Sequence, residues 1–213
     1  MDDFLKETFK NRDSRKFKNP EISNLITSQH QYELDQLIDI YKRLKPRYVL
    51  EIGTQEGGTL YHWCKHAKQG TVICNIDILE NQPANRHEEL VNRWHSWRKP
   101  NTELFTHIGS SQKPPAVEFV KKHLPRIDFL FIDGNHRYQG VKADFLTYAP
   151  YVKNGVIAFH DLMTPTNGIQ NHIQVGKLWE EIRRAGFLTR EIWCQDKQTQ
   201  AWGGIGLVFC AER

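Results

Sequence analysis

Apolar residues along most of the chain recur with two different periods, one typical of helices and one typical of buried strands. From Gln31 they recur at helical spacing as far as Pro46, which ends the predicted helix. Residues 48–52 then form a short apolar run that stops at Gly53. Such a run is typical of a strand buried on both faces of a parallel sheet.

The same alternation continues to the end of the chain. Further helices are predicted at 58–66, 85–97, 116–124, 139–148 and 175–185, and further strands at 71–76, 104–108, 127–132, 156–159, 187–193 and 205–210. The last two strands have no helix between them, which predicts an antiparallel hairpin. The pattern therefore predicts a single doubly wound, Rossmann-like α/β domain with a mostly parallel seven-stranded sheet, an antiparallel edge strand and helices on both faces.

Residues 1–28 differ from the rest, because they mix charges, Asn and Ser without a sustained period. We interpret them as an N-terminal arm that packs on the domain or on a partner subunit, and residues 29–213 as the domain itself. An ordered arm would favour a homo-oligomer. A chain of 213 residues can bury a core as one domain.

Composition excludes some classes of function. The net charge is only +4 and the basic residues are scattered among acids, which argues against a nucleic acid or a membrane surface as partner. The four cysteines form no C-x-x-C pair, which fits a reducing compartment. The N-terminus is charged, and no apolar run approaches the ~20 residues that a bilayer span requires. We therefore expect a cytoplasmic protein.

A glycine-rich loop, EIGTQEGG, follows the first strand and extends from Glu51 to Gly58. Ligands of open α/β sheets bind beyond the carboxyl ends of the strands, and glycines let a backbone approach a ligand closely. The loop has neither the G-x-G-x-x-G pattern of dinucleotide sites nor the Lys of a P-loop. Glu51 suits a ligand with an ammonium or sulfonium group. A glycine-rich turn without a ligand is the alternative.

Polar residues also follow the second and third strands. Asp77 lies roughly two dozen residues beyond the loop, at the offset where an acid grips ribose hydroxyls, and Ile78 could pack on an adenine face. Ser111 and Gln112 could hydrogen-bond the edge of a purine ring. Each of these residues alone is also an ordinary loop residue.

Two acidic residues follow the fourth and fifth strands, Asp133 and Asp161. Since adjacent parallel strands lie ~4.8 Å apart, these carboxylates should face each other across the cleft, where a divalent cation would offset their repulsion. His160 could add a nitrogen ligand, and His136 could act as a general base. Alternatively, Asp133 caps the following helix and His160 is a satisfied core histidine.

Five segments together resemble the class I S-adenosylmethionine-dependent methyltransferases, in the branch with cephalosporin hydroxylase-like proteins and macrocin O-methyltransferases. The segments are EIGTQEGGTLYHW, CNIDI, HIGSSQ, FLFIDGNHRYQGVKADF and NGVIAFHDL. The resemblance extends from about residue 30 to the C-terminus.

The resemblance implies a role for each matching position. The methionine part of the cofactor would be held by Glu51, Gly53, Thr54 and Gly57, the ribose by Asp77, and the adenine by Ser111 and Gln112. We add Ile78 and Asp133 to the predicted cofactor residues because of their positions after the second and fourth strands. A divalent metal, Mg²⁺ or else Mn²⁺ or Fe²⁺, would be held by Asp133, His160 and Asp161. Catechol-type relatives have an Asp-Asn pair where this chain has His160 and Asp161, which leaves the identity of the metal open.

The function implied by the resemblance is metal-assisted O-methylation of a hydroxylated small molecule, such as a sugar, a glycoside or another secondary metabolite. His136 and Asp133 would be the catalytic residues, with His136 taking the proton of the acceptor hydroxyl. The alternatives are a hydroxylase-like relative and a protein that binds the cofactor without catalysis. A nicotinamide-dependent oxidoreductase is disfavoured by the missing G-x-G-x-x-G pattern.

Overall fold

A computed structural model describes residues 29–80, 82–163, 172–194 and 203–211, together with the backbone of two short strands before residue 29. The helices are α1 (Gln31–Leu44), α2 (Gly58–His66), α3 (Ala84–Ser96), α4 (Pro114–His123), α5 (Tyr138–Tyr148) and α6 (Val175–Arg184), with a 3-10 turn at Ala149–Tyr151. The strands are β1 (Phe17–Lys18), β2 (Ile26–Thr27), β3 (Tyr48–Ile52), β4 (Val72–Asp77), β5 (Glu103–Ile108), β6 (Ile127–Ile132), β7 (Val152–Phe159), β8 (Thr189–Ile192) and β9 (Ile205–Cys210).

The main sheet has the strand order β5-β4-β3-β6-β7-β9-β8. The first five strands are parallel, while β9 pairs antiparallel with both β7 and β8. The predicted seven-stranded sheet and its antiparallel edge hairpin are therefore confirmed. The predicted arm, residues 1–28, lies outside the described residues except for β1 and β2, which pair with each other in a small antiparallel sheet.

The two faces of the sheet carry separate apolar clusters. Side chains of α1, α2 and α3 pack on one face, and side chains of α4, α5 and α6 pack on the other. All residues of β6, at the middle of the sheet, are buried. The prediction of helices on both faces is confirmed. Among the described residues, no helix combines the length and apolar character that a membrane crossing needs.

Asp128 fixes the start of β3 against β6. Its Oδ2 accepts hydrogen bonds from the backbone N–H groups of Arg47 (2.8 Å) and Tyr48 (3.0 Å), and its Oδ1 accepts one from Arg126 Nε (2.7 Å). The carboxylate is buried, with 8 % of the residue exposed. One acid therefore sets where β3 enters the sheet and, through the strand register, where its carboxyl end lies.

We expect Asp128→Ala to lower the free energy of unfolding by about 1–3 kcal/mol, because two backbone donors lose their acceptor. Urea denaturation measures this loss. The matched control is Asp39→Ala, on the exposed side of α1, where the acid pairs with Lys42 at 3.5 Å and a change within about 0.5 kcal/mol is expected. Equal losses in the two variants would contradict this role of Asp128.

Candidate active site

The carboxyl ends of β3, β4, β5, β6 and β7 open onto one cleft with a volume of about 720 Å³. The loops that follow these strands form its walls. This volume lies within the ~300–1,000 Å³ that small-molecule sites typically have. The cleft lies where the order of the sheet reverses beside β3, the usual ligand position of doubly wound sheets.

The loop after β3 requires glycine at its first position. Gly53 has a φ of 90°, and a Cβ placed there would lie 2.1 Å from the backbone oxygen of Asp133. Any other residue would therefore be strained and would push β3 away from β6. Gly53 and Thr54 both line the cleft, as the predicted cofactor role requires.

Asp77 holds the same loop in place from the end of β4. Its Oδ2 accepts hydrogen bonds from the backbone N–H groups of Thr54 (2.6 Å) and Gln55 (2.7 Å). Its Oδ1 accepts one from Leu79 N–H at 2.6 Å. Asp77 lines the cleft, and a carboxylate has about four acceptor positions, so a ligand hydroxyl can still bind to it.

Two of the predicted cofactor residues, Glu51 and Gly57, do not line the cleft. Glu51 is completely buried beneath it, where its Oε1 accepts hydrogen bonds from Thr59 Oγ1 (2.5 Å) and Trp63 Nε1 (2.8 Å). Gly57 faces away from the cleft, because a Cβ there would lie 2.5 Å from Nε1 of Trp94. Both residues therefore support the loop from the side that faces the protein interior.

Burial controls the charge of Glu51. Removal from water raises the pKa of this carboxyl to about 8, although the hydrogen bonds from Thr59 and Trp63 oppose the shift. Near neutral pH the uncharged form of the carboxyl is therefore favoured while no positive group lies beside Glu51.

The loops after β4 and β5 bring Ile78, Ser111 and Gln112 into the wall of the cleft. The Ile78 side chain is 51 % exposed, so its apolar surface is available to a ring. Ser111 Oγ donates a hydrogen bond to Asp144 Oδ1 (2.6 Å), and Gln112 Nε2 donates one to the backbone oxygen of Gly140 (3.1 Å). Both polar side chains are thus already oriented by α5.

Asp133, His160 and Asp161 come together at the ends of β6 and β7. One ligand atom of each lies within 4.8 Å of the others, and His160 Nδ1 is 3.1 Å from Asp133 Oδ1. Asp161 has a φ of 59°, a conformation that Asp tolerates better than most residues. The proximity of the two acids follows from the parallel pairing of β6 with β7.

His136 lies against the same cluster. Its Nε2 is 3.1 Å from Asp133 Oδ1, and its Nδ1 is 3.5 Å from Asp161 Oδ2. The alternative role of Asp133 as a helix cap is wrong, because α5 begins after Arg137 and has no side-chain cap. His160 Nε2 is buried without a hydrogen-bond partner among the described residues, so this histidine is not fully satisfied either.

The charges in this cluster compensate one another. Burial raises the pKa of Asp133, but the charge of His160 and the hydrogen bonds from both histidines outweigh it and hold the pKa well below its usual range. Burial lowers the pKa of His160, but Asp161 and Asp133 overcome it and raise the pKa to about 10. Hydrogen bonding to Asp133 likewise raises the pKa of His136 against the effect of burial. Protonated histidines therefore neutralise the two acids.

The sequence analysis did not single out three residues that contact the predicted site residues or line the cleft. Gln29 Nε2 donates a hydrogen bond to Asp133 Oδ2 at 2.7 Å, His172 lines the cleft, and Asp144 holds Ser111. Gln29 and His172 follow no predicted strand. The only signal for Asp144 was an acid in the helix predicted at 139–148.

We expect Glu51→Gln to remove a pH dependence of stability. The pKa of Glu51 is higher in the folded protein than in the unfolded chain, so its contribution is fully present below about pH 4.5 and is lost as the pH rises to about 8. The slope is at most about 1.4 kcal/mol per pH unit. Urea denaturation of both proteins at several pH values tests this, and parallel curves between pH 5 and 8 would refute it.

Comparison with known proteins identifies the family. Residues 50–162 match a family described as a methyltransferase domain. An uncharacterised protein of Acanthamoeba polyphaga mimivirus is 35 % identical over an alignment of 166 residues, and the alignment covers 70 % of this chain and 70 % of the viral protein.

Solved structures share the fold at low sequence identity. An O-methyltransferase of Bacillus cereus in complex with SAH is 16 % identical, with a TM-score of 0.60 and coverage of 98 % of this chain and 91 % of that one. The O-methyltransferase TomG of Streptomyces achromogenes in complex with SAM is 14 % identical, with a TM-score of 0.62 and coverage of 100 % and 91 %. Since the family match covers just over half of the sequence, the chain belongs to this methyltransferase-domain family.

Proposed function

We propose that the protein is an S-adenosylmethionine-dependent O-methyltransferase that acts on a hydroxylated small molecule with the help of a divalent cation. The observation that carries this proposal is the position of the cluster Asp133, His160 and Asp161 in the wall of the same cleft as Gly53. A cofactor site and a cation site would thus be side by side. We further propose the cephalosporin hydroxylase-like and macrocin O-methyltransferase branch, from the sequence resemblance.

The residues on one side of the cleft fit the cofactor. Gly53 leaves room beside the backbone of Asp133, and Asp77 has acceptor positions left for ribose hydroxyls. Ile78 offers an apolar face to the adenine, with Ser111 nearby in the same wall. The related fold of proteins solved with SAM and SAH agrees with this assignment.

The residues on the other side fit a divalent cation. The two carboxylates suit Mg²⁺, and the imidazole nitrogen would also admit Mn²⁺ or Fe²⁺. The ligand atoms of the three residues lie within 4.8 Å of one another. When both groups are bound, S-adenosylmethionine supplies the methyl group and the cation lowers the pKa of the acceptor hydroxyl. His160 would have to lose its Nδ1 proton to serve as a ligand.

His136 is the candidate general base. Its ring lies between Asp133 and Asp161. His136 would have to be neutral before the reaction, which a cation bound to the same two acids would favour, and a proton then accepted from the acceptor hydroxyl would be stabilised by the two carboxylates. The same contacts orient the ring. An acceptor with two neighbouring hydroxyls, such as a catechol or a sugar, would suit a cleft with this arrangement of oxygen ligands.

Calorimetry with S-adenosylmethionine, with and without Mg²⁺, tests the cofactor. Incubation with a panel of catechols and glycosides, followed by mass spectrometry for S-adenosylhomocysteine, tests turnover. We expect cofactor binding in both conditions and product formation only with Mg²⁺. No binding of S-adenosylmethionine would refute the proposed function.

We expect Asp161→Asn to abolish turnover of the acceptor found in that panel, while the affinity for S-adenosylmethionine changes little, because the substitution removes one anionic cation ligand. EDTA should have the same effect on the unchanged protein. Asp39→Asn, on the exposed side of α1, is the control and should retain full activity. Unchanged turnover after either treatment would remove the cation from the mechanism.

A further inference from the structure

Three residues on one face of α5 form hydrogen bonds with the segment Ser111–Gln112. Tyr148 Oη donates a hydrogen bond to the Ser111 backbone oxygen at 2.6 Å. Asp144 Oδ1 accepts the Ser111 hydroxyl hydrogen, and the Gly140 backbone oxygen accepts from Gln112. Positions 140, 144 and 148 are four residues apart, so they lie along one face of the helix. The segment therefore has little freedom to reorient.

The contact with Asp144 decides which kind of hydrogen bond Ser111 can offer a ligand. A hydroxyl has one hydrogen, and an ionised carboxylate only accepts. Asp144 is completely buried, and burial raises its pKa to about 6, with Ser111 opposing the shift, so it is ionised at pH 8. The Ser111 hydrogen then points at Asp144, and only the lone pairs of Oγ remain for the cleft.

We propose that Asp144 is a positioning residue that makes Ser111 a hydrogen-bond acceptor, so that the cleft selects a purine with an exocyclic amino group over one with a carbonyl. The inference deepens the proposed function and rests on it, because the purine is that of the methyl donor. Adenine meets this requirement, whereas hypoxanthine presents an oxygen at the same position.

A purine with a carbonyl would meet a specific penalty. To donate to that oxygen, Ser111 would have to turn its hydrogen away from Asp144, and the buried carboxylate would lose a short hydrogen bond of 2.6 Å. If the hydroxyl did not turn, the lone pairs of Ser111 Oγ would face the carbonyl oxygen of the purine, and neither atom could donate a hydrogen bond. Hydrogen bonds to charged groups are strong enough for this loss to weaken binding by about 10- to 100-fold.

Calorimetry at pH 8 with S-adenosylhomocysteine and S-inosylhomocysteine measures the selectivity. We expect the unchanged protein to bind the inosyl compound about 10- to 100-fold more weakly. In Asp144→Ala the Ser111 hydroxyl hydrogen loses its acceptor and becomes free to point into the cleft, so the affinity ratio should fall towards unity. Ser111→Ala should give the same fall, and the control Asp39→Asn should keep the full ratio.

The outcomes separate the two proposals. Equal affinity of the unchanged protein for both compounds overturns the selectivity, whereas binding of neither compound refutes the proposed function. A folded Asp144→Ala protein that keeps the ratio, with folding checked by circular dichroism, shows that Asp144 does not set it. Should that variant fail to fold, Ser111→Ala decides alone, and an unchanged ratio there overturns the proposal.

Discussion

The parallel pairing of β6 with both β3 and β7 is the constraint on which the site depends. It places Asp133 between the loop that begins at Gly53 and the pair formed by His160 and Asp161. The missing side chain of Gly53 lets β3 and β6 approach each other at their tips, and Asp128 fixes the register at the other end. The two sides of the cleft are thus held by the same central strand.

Most of the fold could be predicted because the apolar residues of each helix and strand recur with the period of that secondary structure. The limits of β7 could not, since this strand begins at Val152 and not at 156. Its early part is exposed at Lys153 and Asn154, which hides the apolar pattern, and Gly155 is required because a Cβ there would lie 2.4 Å from the backbone oxygen of Asp128. Sequence periodicity reports burial, and the second and third residues of this strand are exposed.

The candidate site could be predicted where topology alone determines position. Asp133 and Asp161 follow neighbouring parallel strands, so their proximity was expected and the structure brings them together. Gln29 could not be found, because its contact with Asp133 spans 104 positions of sequence and depends on how α1 packs. Glu51 ends its strand as predicted, but it turns beneath the loop towards Thr59 and Trp63, a direction that sequence position does not encode.

The three amide hydrogen bonds of Asp77 have a consequence for the thermodynamics of ligand association. Two of them, from Thr54 and Gln55, order the loop between β3 and α2, and the third, from Leu79, orders the segment after β4. A nucleoside that enters the cleft therefore loses its own freedom but does not have to freeze that backbone as well. The protein would accordingly act as a rigid receptor on this side of the cleft, and its backbone would differ little between the free and the bound state.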